Sequence, residues 1–542
     1  MRTIAAALLL TFAPALEVAA GTIVVPDDAP SIQAAVTLAS DGDVIELAAG
    51  VYTGPGNRNV ELQGKLLTIR SVAGAATCTI DCQYLGRAFR AIAGEPMGTT
   101  LEGLTITHGH VGGTNQQAGA VEVAEGAHLA LIDCHLVANA LGMKGRGGAI
   151  ASFGSLVLDG CVFESNTVSD DFSLGAAVLM SGEATIVDCA FIGNSTNEGI
   201  GGAVSAYGSL TLAGTIFEGN HGKYGGALDA SGPFEITDCS FDGNTALSIG
   251  GAMRLAGPGG TVTGVLFRGN SAPMGGAIVC GSASLVFERC QLVDNQAGIN
   301  GGGGARIIGT GATAWWGCLF NGNGAVGSGG AIAVAGGSCE VLDCTVTANA
   351  CGSGGVGGGV FVEATGAAQL SNSVLWGNTG PSASLQEQQV AADGSVFADA
   401  CCIEGLDGSL GGIGNIGGDP AFVDPVGSDG LAGTLDDDLR LAAGSPCIDG
   451  GANLLVPPAL ALDLDHGPRV VDGDADGFAV VDIGAYERSA APAGDLDGDG
   501  IVNGADLGIL LAAWGGAGPG DLNDDGVVDG ADLGILLAEW TP

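Results

Sequence analysis

A hydrophobic residue three positions before an Asn recurs ten times in this chain, and that recurrence leaves few folds open. The ten Asn are Asn139, Asn166, Asn194, Asn220, Asn244, Asn270, Asn295, Asn323, Asn349 and Asn378. Their separations are 27, 28, 26, 24, 26, 25, 28, 26 and 29 residues. A period of this length marks a solenoid, in which one repeat buries its apolar face only against the next. The position three before each Asn holds Leu136, Phe163, Phe191, Phe217, Phe241, Phe267, Leu292, Phe320, Val346 and Leu375. Eight before stand Leu131, Leu158, Ile186, Leu212, Ile236, Val262, Phe287, Trp315, Val341 and Leu370. Both columns are expected to face inward.

Around these columns, stretches such as "SLTLAG" and "PFEITD" alternate with period two, which is the signature of strands. Short strands broken by glycines predict a parallel β-helix with three strands in each coil. Ten coils at about 4.8 Å per strand spacing make a stack of roughly 48 Å. Like side chains then lie over one another, so the Asn column is expected to hydrogen-bond amide to amide along the stack. Glycine pairs at 147–148, 201–202, 225–226, 250–251, 275–276, 303–304, 329–330 and 358–359 supply turns of positive φ or close backbone approach.

Cysteine stands five residues before the Asn in seven of the ten coils: Cys134, Cys161, Cys189, Cys239, Cys290, Cys318 and Cys344. A metal ladder and a disulfide stack are both open readings of this column. Neighbours about 4.8 Å apart are too distant for disulfides, which need Cβ atoms roughly 3.5 to 4.5 Å apart, so buried inert thiols are favoured. Cys78, Cys82, Cys401, Cys402 and Cys447 fall outside the column and are the better disulfide candidates.

Composition excludes some partners. There are 16 Lys plus Arg against 59 Asp plus Glu, for a net charge of -43, which argues against nucleic acid and anionic membrane. Residues 1–20 read as a secretory signal, with Arg2 before an apolar run and small residues at Val18-Ala19-Ala20. No stretch is long enough to span a bilayer. Export to the medium or the cell surface is expected.

The repeats, "GGAI" at Gly147 to Ile150 with "FESN" at Phe163 to Asn166 and their later copies, resemble the polymorphic outer-membrane protein family over roughly residues 100 to 380. The start, "TIVVPDDAPSIQAAVTLASDGDVIELAAGVYTG", looks like that of pectate-lyase-like β-helices, with a short capping helix from about Ser31 to Ala39. These resemblances imply an all-β fold, a right-handed parallel β-helix, of a class that includes surface adhesins. No C-terminal membrane barrel of the kind the first family carries is expected from these residues. "LRLAAGSPCIDGGAN" and "VVDIGAYE" resemble closing segments of exported β-helix proteins.

After the linker "RSAAPAG" come "DLDGDGIVNGADLGILLAAW" and "DLNDDGVVDGADLGILLAEW", identical at 15 of 20 positions. Asp495, Asp497, Asp499, Ile501 (carbonyl), Asn503 and Asp506 occupy positions 1, 3, 5, 7, 9 and 12 of a calcium loop. Asp521, Asn523, Asp525, Val527 (carbonyl), Asp529 and Asp532 repeat the pattern. Residues 495 to 540 hold ten acidic side chains and no basic one, so a divalent cation is needed to hold the carboxylates together. Two Ca²⁺ are therefore expected. The helices that follow carry apolar stripes, Leu507, Leu510, Leu511 and Trp514, then Leu533, Leu536, Leu537 and Trp540, expected to pack together.

The tandem closely resembles type I dockerin, a small α-helical, EF-hand-like calcium module that docks onto cohesin domains. That resemblance implies a cohesin-like or other surface protein as partner for residues 495–542. The usual Ser/Thr recognition pair is replaced by Gly504-Ala505 and Gly530-Ala531. A third loop starts at Asp472, Asp474 and Asp476, but Val480 and Ile483 at positions 9 and 12 make it a weak site.

Catalysis has thinner support. Asp133, Asp188, Asp238 and Asp343 alternate along the stack with Gly160, Gly214, Gly264 and Gly317, with Arg289 between the last two. Carboxylates two coils apart, about 9.6 Å, sit near the upper limit for inverting glycosidases, roughly 6.5 to 9.5 Å, but Asp and Gly are equally corner residues. The six His form no metal spacing or triad.

The expected organisation is a signal at 1–20, cap and first coils at 21–100, and repeat core at 101–380. Terminal coils and acidic loops follow at 381–487, a linker at 488–494 and the calcium tandem at 495–542. The main functional reading is a non-catalytic surface β-helix for adhesion, envelope architecture or glycan contact. The alternative is a polysaccharide-degrading enzyme, a glycoside hydrolase or lyase, recruited through its dockerin. Clustered carboxylates or stacked aromatics in a cleft would favour the enzyme.

Overall fold

The structure, a computed structural model, describes residues 20–114, 116–169, 172–281, 284–489, 492–497, 501–523 and 525–540. The signal segment up to residue 19, part of the linker, and Asp499 lie outside the described residues. The chain is a parallel β-solenoid of about 13 turns with few helices. It divides into two compact units, Met1–Leu285 with Asp294–Gly311 and Gly324–Gly327, and Val286–Val293 with Ala312–Asn323 and Ser328–Pro542. Among the described residues no helix is long and apolar enough to cross a membrane.

In the first unit a coil is built from the strands Ile150–Ser152, Ser155–Asp159, Val162–Glu164 and Thr167–Val168. The fourth, two-residue strand was not expected from the periodicity, being too short to show an alternation. Each strand pairs in parallel with its counterpart one repeat later: Ile150 with Val178, Leu158 with Ile186 and Phe163 with Phe191. The second unit repeats the scheme, with Ile332 opposite Val360, Val341 opposite Leu370 and Val346 opposite Leu375. Both inward columns are buried throughout. Phe163, Phe191, Phe217 and Phe241 stack nearly parallel, with centroids 4.7, 4.8 and 4.5 Å apart, each ring filling the space over the last.

The corners are bonded by side chains. The backbone N–H and the Nδ2 of Asn166 both donate to Asn194 Oδ1 at 3.0 Å, and Nδ2 also donates to Leu136 O at 2.9 Å. The same three bonds recur at Asn194, Asn220 and Asn244 in the first unit and at Asn349 in the second. Each amide thus occupies donors and acceptors that the strand ladder cannot reach at a bend. In the second unit the file ends on helix residue Gln389, whose Oε1 accepts from Asn378 N at 3.1 Å and Nδ2 at 2.7 Å.

The cysteine column is all thiol and all buried. It acts as a second corner file: Cys161 N donates to Cys189 Sγ at 3.4 Å and Cys318 N to Cys344 Sγ at 3.3 Å. Thr215 and Ser373 stand in for cysteine, accepting from Cys189 N and Cys344 N. The Asp and Gly of the neighbouring corner all have positive φ, from 50° at Asp133 to 66° at Gly264. A Cβ on Gly214 would lie 2.2 Å from Asp188 Oδ1, so the carboxylate of one coil lies over the glycine of the next. That contact accounts for the alternation without chemistry. Among the glycine pairs, two are displaced by one residue: the positive φ falls on Gly302 and Gly357, not Gly303 and Gly358.

At the N-terminal end, a helix, Ile32–Leu38, is capped by the Ser31 hydroxyl, which accepts from Ala34 N, and buries Ile32, Ala35 and Val36. Near the other end of the sequence, the closing segments bring a buried charge cluster into the second unit. Arg469, 1% exposed, lies 3.3 Å from both Asp343 and Glu487 and donates to the carbonyls of Asp482 and Gly484. Burial raises the carboxyls of all three acids, Asp482 to about 6 and Glu487 to about 9, with Arg469 opposing the shift. One guanidinium does not offset the desolvation of three carboxylates.

Two outcomes follow for stability. Asn220→Ala leaves Asn194 N–H and Nδ2 without their acceptor and Phe191 O without its donor, and is expected to cost at least about 2 kcal/mol in urea unfolding. Glu487 has an ordinary value of 4.5 and is raised in the fold, so its contribution is complete below that value and is lost as pH rises toward about 9. Melting temperature is therefore expected to fall between pH 5 and 9, and Glu487→Gln to flatten the upper part of that decline; an unchanged slope would refute the assignment.

Candidate calcium loops and an outer-face groove

The C-terminal tandem forms two loop–helix pairs, with helices Gly504–Ala512 and Gly530–Ala538. Each helix begins with a reciprocal capping box. Asn503 accepts from Ala505 N at 2.8 Å while Asp506 Oδ2 accepts from Asn503 N at 2.8 Å, and Asp529 and Asp532 do the same in the second. Position 9 is therefore a helix cap in both loops.

The position-12 carboxylates are fully buried and fold the loops back on themselves. Asp506 Oδ1 accepts from Leu496 N and Asp497 N, and Asp532 Oδ1 accepts from Leu522 N and Asn523 N, at 2.7 and 3.1 Å in both cases. Backbone N–H bonds, led by those from Asn503 and Asp529, hold both carboxyls below their ordinary value. Asp495, Asp497 and Asp506 each bring an oxygen, all within 4.8 Å of one another. In the second loop Asp521 accepts from Asp525 N and Gly526 N, and Asn523 Oδ1 from Asp525 N. This is an oxygen-only donor set without a basic neighbour in the tandem, and it fits a hard cation such as Ca²⁺.

The helical stripes pack only in part. Leu510 and Leu536 join Val502 and Val528 in a buried cluster flanked by Leu507 and Leu533. Leu511, Trp514, Leu537 and Trp540 remain 51, 48, 52 and 37% exposed. A nine-residue helix packs about one stripe of residues against its partner, and the flanking residues turn away. At the third loop, Asp472 and Asp474 are joined by Asp449, again with oxygens within 4.8 Å. Asp449 lies 23 residues upstream of Asp472, so loop spacing could not find it.

The second unit also carries a groove of about 660 Å³ on the outer face of one sheet. Strand register places Ala314, Glu340, Gln369 and Phe397 in one file across four coils. Ala312, Ser338, Ala367 and Ser395 form the file beside it, and these small side chains make the floor. Phe397 is 44% exposed. Beside the groove, on the strand that carries Ala314, the Trp316 indole N–H donates to Glu340 Oε2 at 2.8 Å. Glu340 is the one carboxylate among the described lining residues.

A second depression, about 440 Å³, is lined by Phe361, Glu387, Asp393 and Asp407. Two of its acids are engaged locally: Glu387 accepts from the Ser382 hydroxyl at 2.5 Å, and Asp407 from Ser409 N at 2.8 Å. The pairing of Trp316 with Glu340 was not anticipated, although the "AWWGC" run signals one aromatic inward and its neighbour outward.

No family model matches the sequence, and no curated protein matches it. Among solved structures, the chain is similar to the catalytic domain of a GH87 α-1,3-glucanase in complex with nigerose, at 14% identity and a TM-score of 0.32. That likeness covers 58% of this chain and spans 66% of the length of the other. It is also similar to the catalytic unit of a thermostable GH87 α-1,3-glucanase from Streptomyces thermodiastaticus, at 16% identity and a TM-score of 0.25, covering 74% of this chain and 69% of that one.

Proposed function

We propose that this chain is an exported, glycan-directed β-solenoid held in place by a calcium-loaded C-terminal tandem. The groove at Glu340 carries the reading. A pyranose presents C–H faces and ring hydroxyls, and it is recognised by aromatic surface beside hydrogen-bonding groups. Here Phe397 lies beside an amide and a carboxylate on a floor of small residues, and the Trp316 indole on the neighbouring strand orients that carboxylate. Three strand spacings separate the coils of Trp316 and Phe397, about 14 Å, room for a short run of sugar rings.

A second reading is a polysaccharide-degrading enzyme recruited by the same tandem, and Glu340 is the observation that favours it. Glycosidases usually work with two carboxyl groups, roughly 5 to 9.5 Å apart, and the groove lining supplies one. Binding is therefore the primary reading. The tandem's likeness to dockerin makes a cohesin-like surface protein its partner. In the first loop Asp495, Asp497, Asp499, Ile501, Asn503 and Asp506 would hold Ca²⁺, and in the second Asp521, Asn523, Asp525, Val527, Asp529 and Asp532. These residues would hold the cation, whose charge would offset that of the converging acids and let the helix pair keep one geometry for docking.

Retention of the full chain on a panel of insoluble polysaccharides tests the groove. Trp316→Ala and Phe397→Ala are each expected to weaken binding to the retaining polymer at least tenfold, and wild-type retention by both variants would sink the reading. Release of reducing sugar that disappears in Glu340→Gln would move the conclusion to the enzyme. Calcium titration tests the tandem: Asp497→Ala and Asn523→Ala should each bind one equivalent fewer than wild type, and chelation should lower its helical circular dichroism.

A further inference from the structure

Cys402 and Cys447 stand apart from the corner file of thiols. Cys402 belongs to the strand Cys402–Ile403, paired through Val374 with the preceding coil. Cys447 lies in the irregular chain after strand Asp438–Leu441. Both are fully buried thiols in one apolar cluster with Val374, Leu441 and Ile483, where the two side chains interact and the Cys402 thiol donates to Gly418 O at 3.1 Å. The backbone around Cys447 is fixed by Ser445 Oγ, which accepts from Cys447 N at 3.1 Å, and by Ile483 N, which donates to Cys447 O at 2.9 Å.

We infer that Cys402 and Cys447 are joined by a disulfide that staples the closing segment onto a terminal coil. The corner file differs in a way that matters. Its cysteines sit in register at the corners between parallel strands, about 4.8 Å apart, and the sulfurs of Cys189, Cys318 and Cys344 accept from backbone N–H groups of the preceding coil. Linking two of them would draw their Cβ atoms toward about 3.8 Å and break those bonds. Cys447 is under no such register, since it belongs to the irregular closing chain and has no counterpart one repeat away.

Formation removes two protons and two electrons from the pair. A disulfide donor of the exported compartment accepts them: one cysteine thiolate attacks the donor to form a mixed disulfide, and the second displaces the donor as a dithiol. Both sulfurs are inaccessible in the fold, so exchange precedes docking of residues 438–488. The link then closes a loop between positions 45 residues apart.

The test is thiol counting on full-length protein refolded with oxidised glutathione as the donor. Alkylation in denaturant without reductant is expected to label 13 of the 15 cysteines, and all of them after reduction, with peptide mapping linking Cys402 to Cys447. Cys447→Ser should free exactly the Cys402 thiol, leaving Cys401→Ser with the link intact. Reductant should lower the melting temperature of wild type by roughly 5 °C and leave the Cys402→Ala/Cys447→Ala variant unmoved. Fifteen labelled thiols without reductant, or a link through any other pair, overturns the inference. The mass readout is made on denatured wild type, so it holds even where a variant fails to fold.

Discussion

The vertical register of equivalent residues is the constraint on which the structure rests. A coil that turns three or four times leaves backbone N–H groups at every bend beyond the reach of the strand ladder, and a buried N–H without an acceptor costs about as much as a good core contact supplies. Asn answers this because its amide donates and accepts at once, so each copy bonds both the backbone and the side chain of its neighbour. A shift of one residue in any coil would unpair the Asn file and turn the Phe file outward together. Amide and ring thus enforce the same register.

The inner files were legible in the sequence because register makes them periodic. The Phe, Asn and Cys positions could be aligned by eye, and each of those columns is buried. What could not be read is whatever depends on a contact outside the period. Gln389 ends the Asn file from a short helix that carries no copy of the motif. Asp449 reaches Asp472 and Asp474 from a different segment. The pairing of Trp316 with Glu340 depends on knowing which side of a strand each occupies and which coil lies next to which. Spacing along a chain carries no information about such meetings.

The buried ionic cluster belongs to the same class. Asp343 occupies the corner position whose exposed counterparts, Asp133, Asp188 and Asp238, lie over glycines. In its coil the closing chain covers that corner, and Arg469 arrives to meet the carboxylate. An element that elsewhere needs nothing beyond solvent therefore acquires a desolvation cost, and the arginine with its two backbone carbonyls offsets part of it. Breaking the pair from either side would strand a charge, so the cluster favours one docked position of the segment over alternatives.

This division also indicates where a solenoid can vary. Inward positions are tied to their copies above and below, so changing one disturbs two interfaces. Outward positions on the same strands carry no such obligation, and in the coils from Ala312 to Phe397 several of them shrink to Ala and Ser while the Phe397 ring is kept exposed. Small residues on an outer face contribute little to stability, and Phe397 leaves apolar surface in water at a cost. Retaining both features side by side, with Glu340 oriented by the indole, has no return in folding energy. Its physical rationale is a ligand that removes that aromatic surface from solvent.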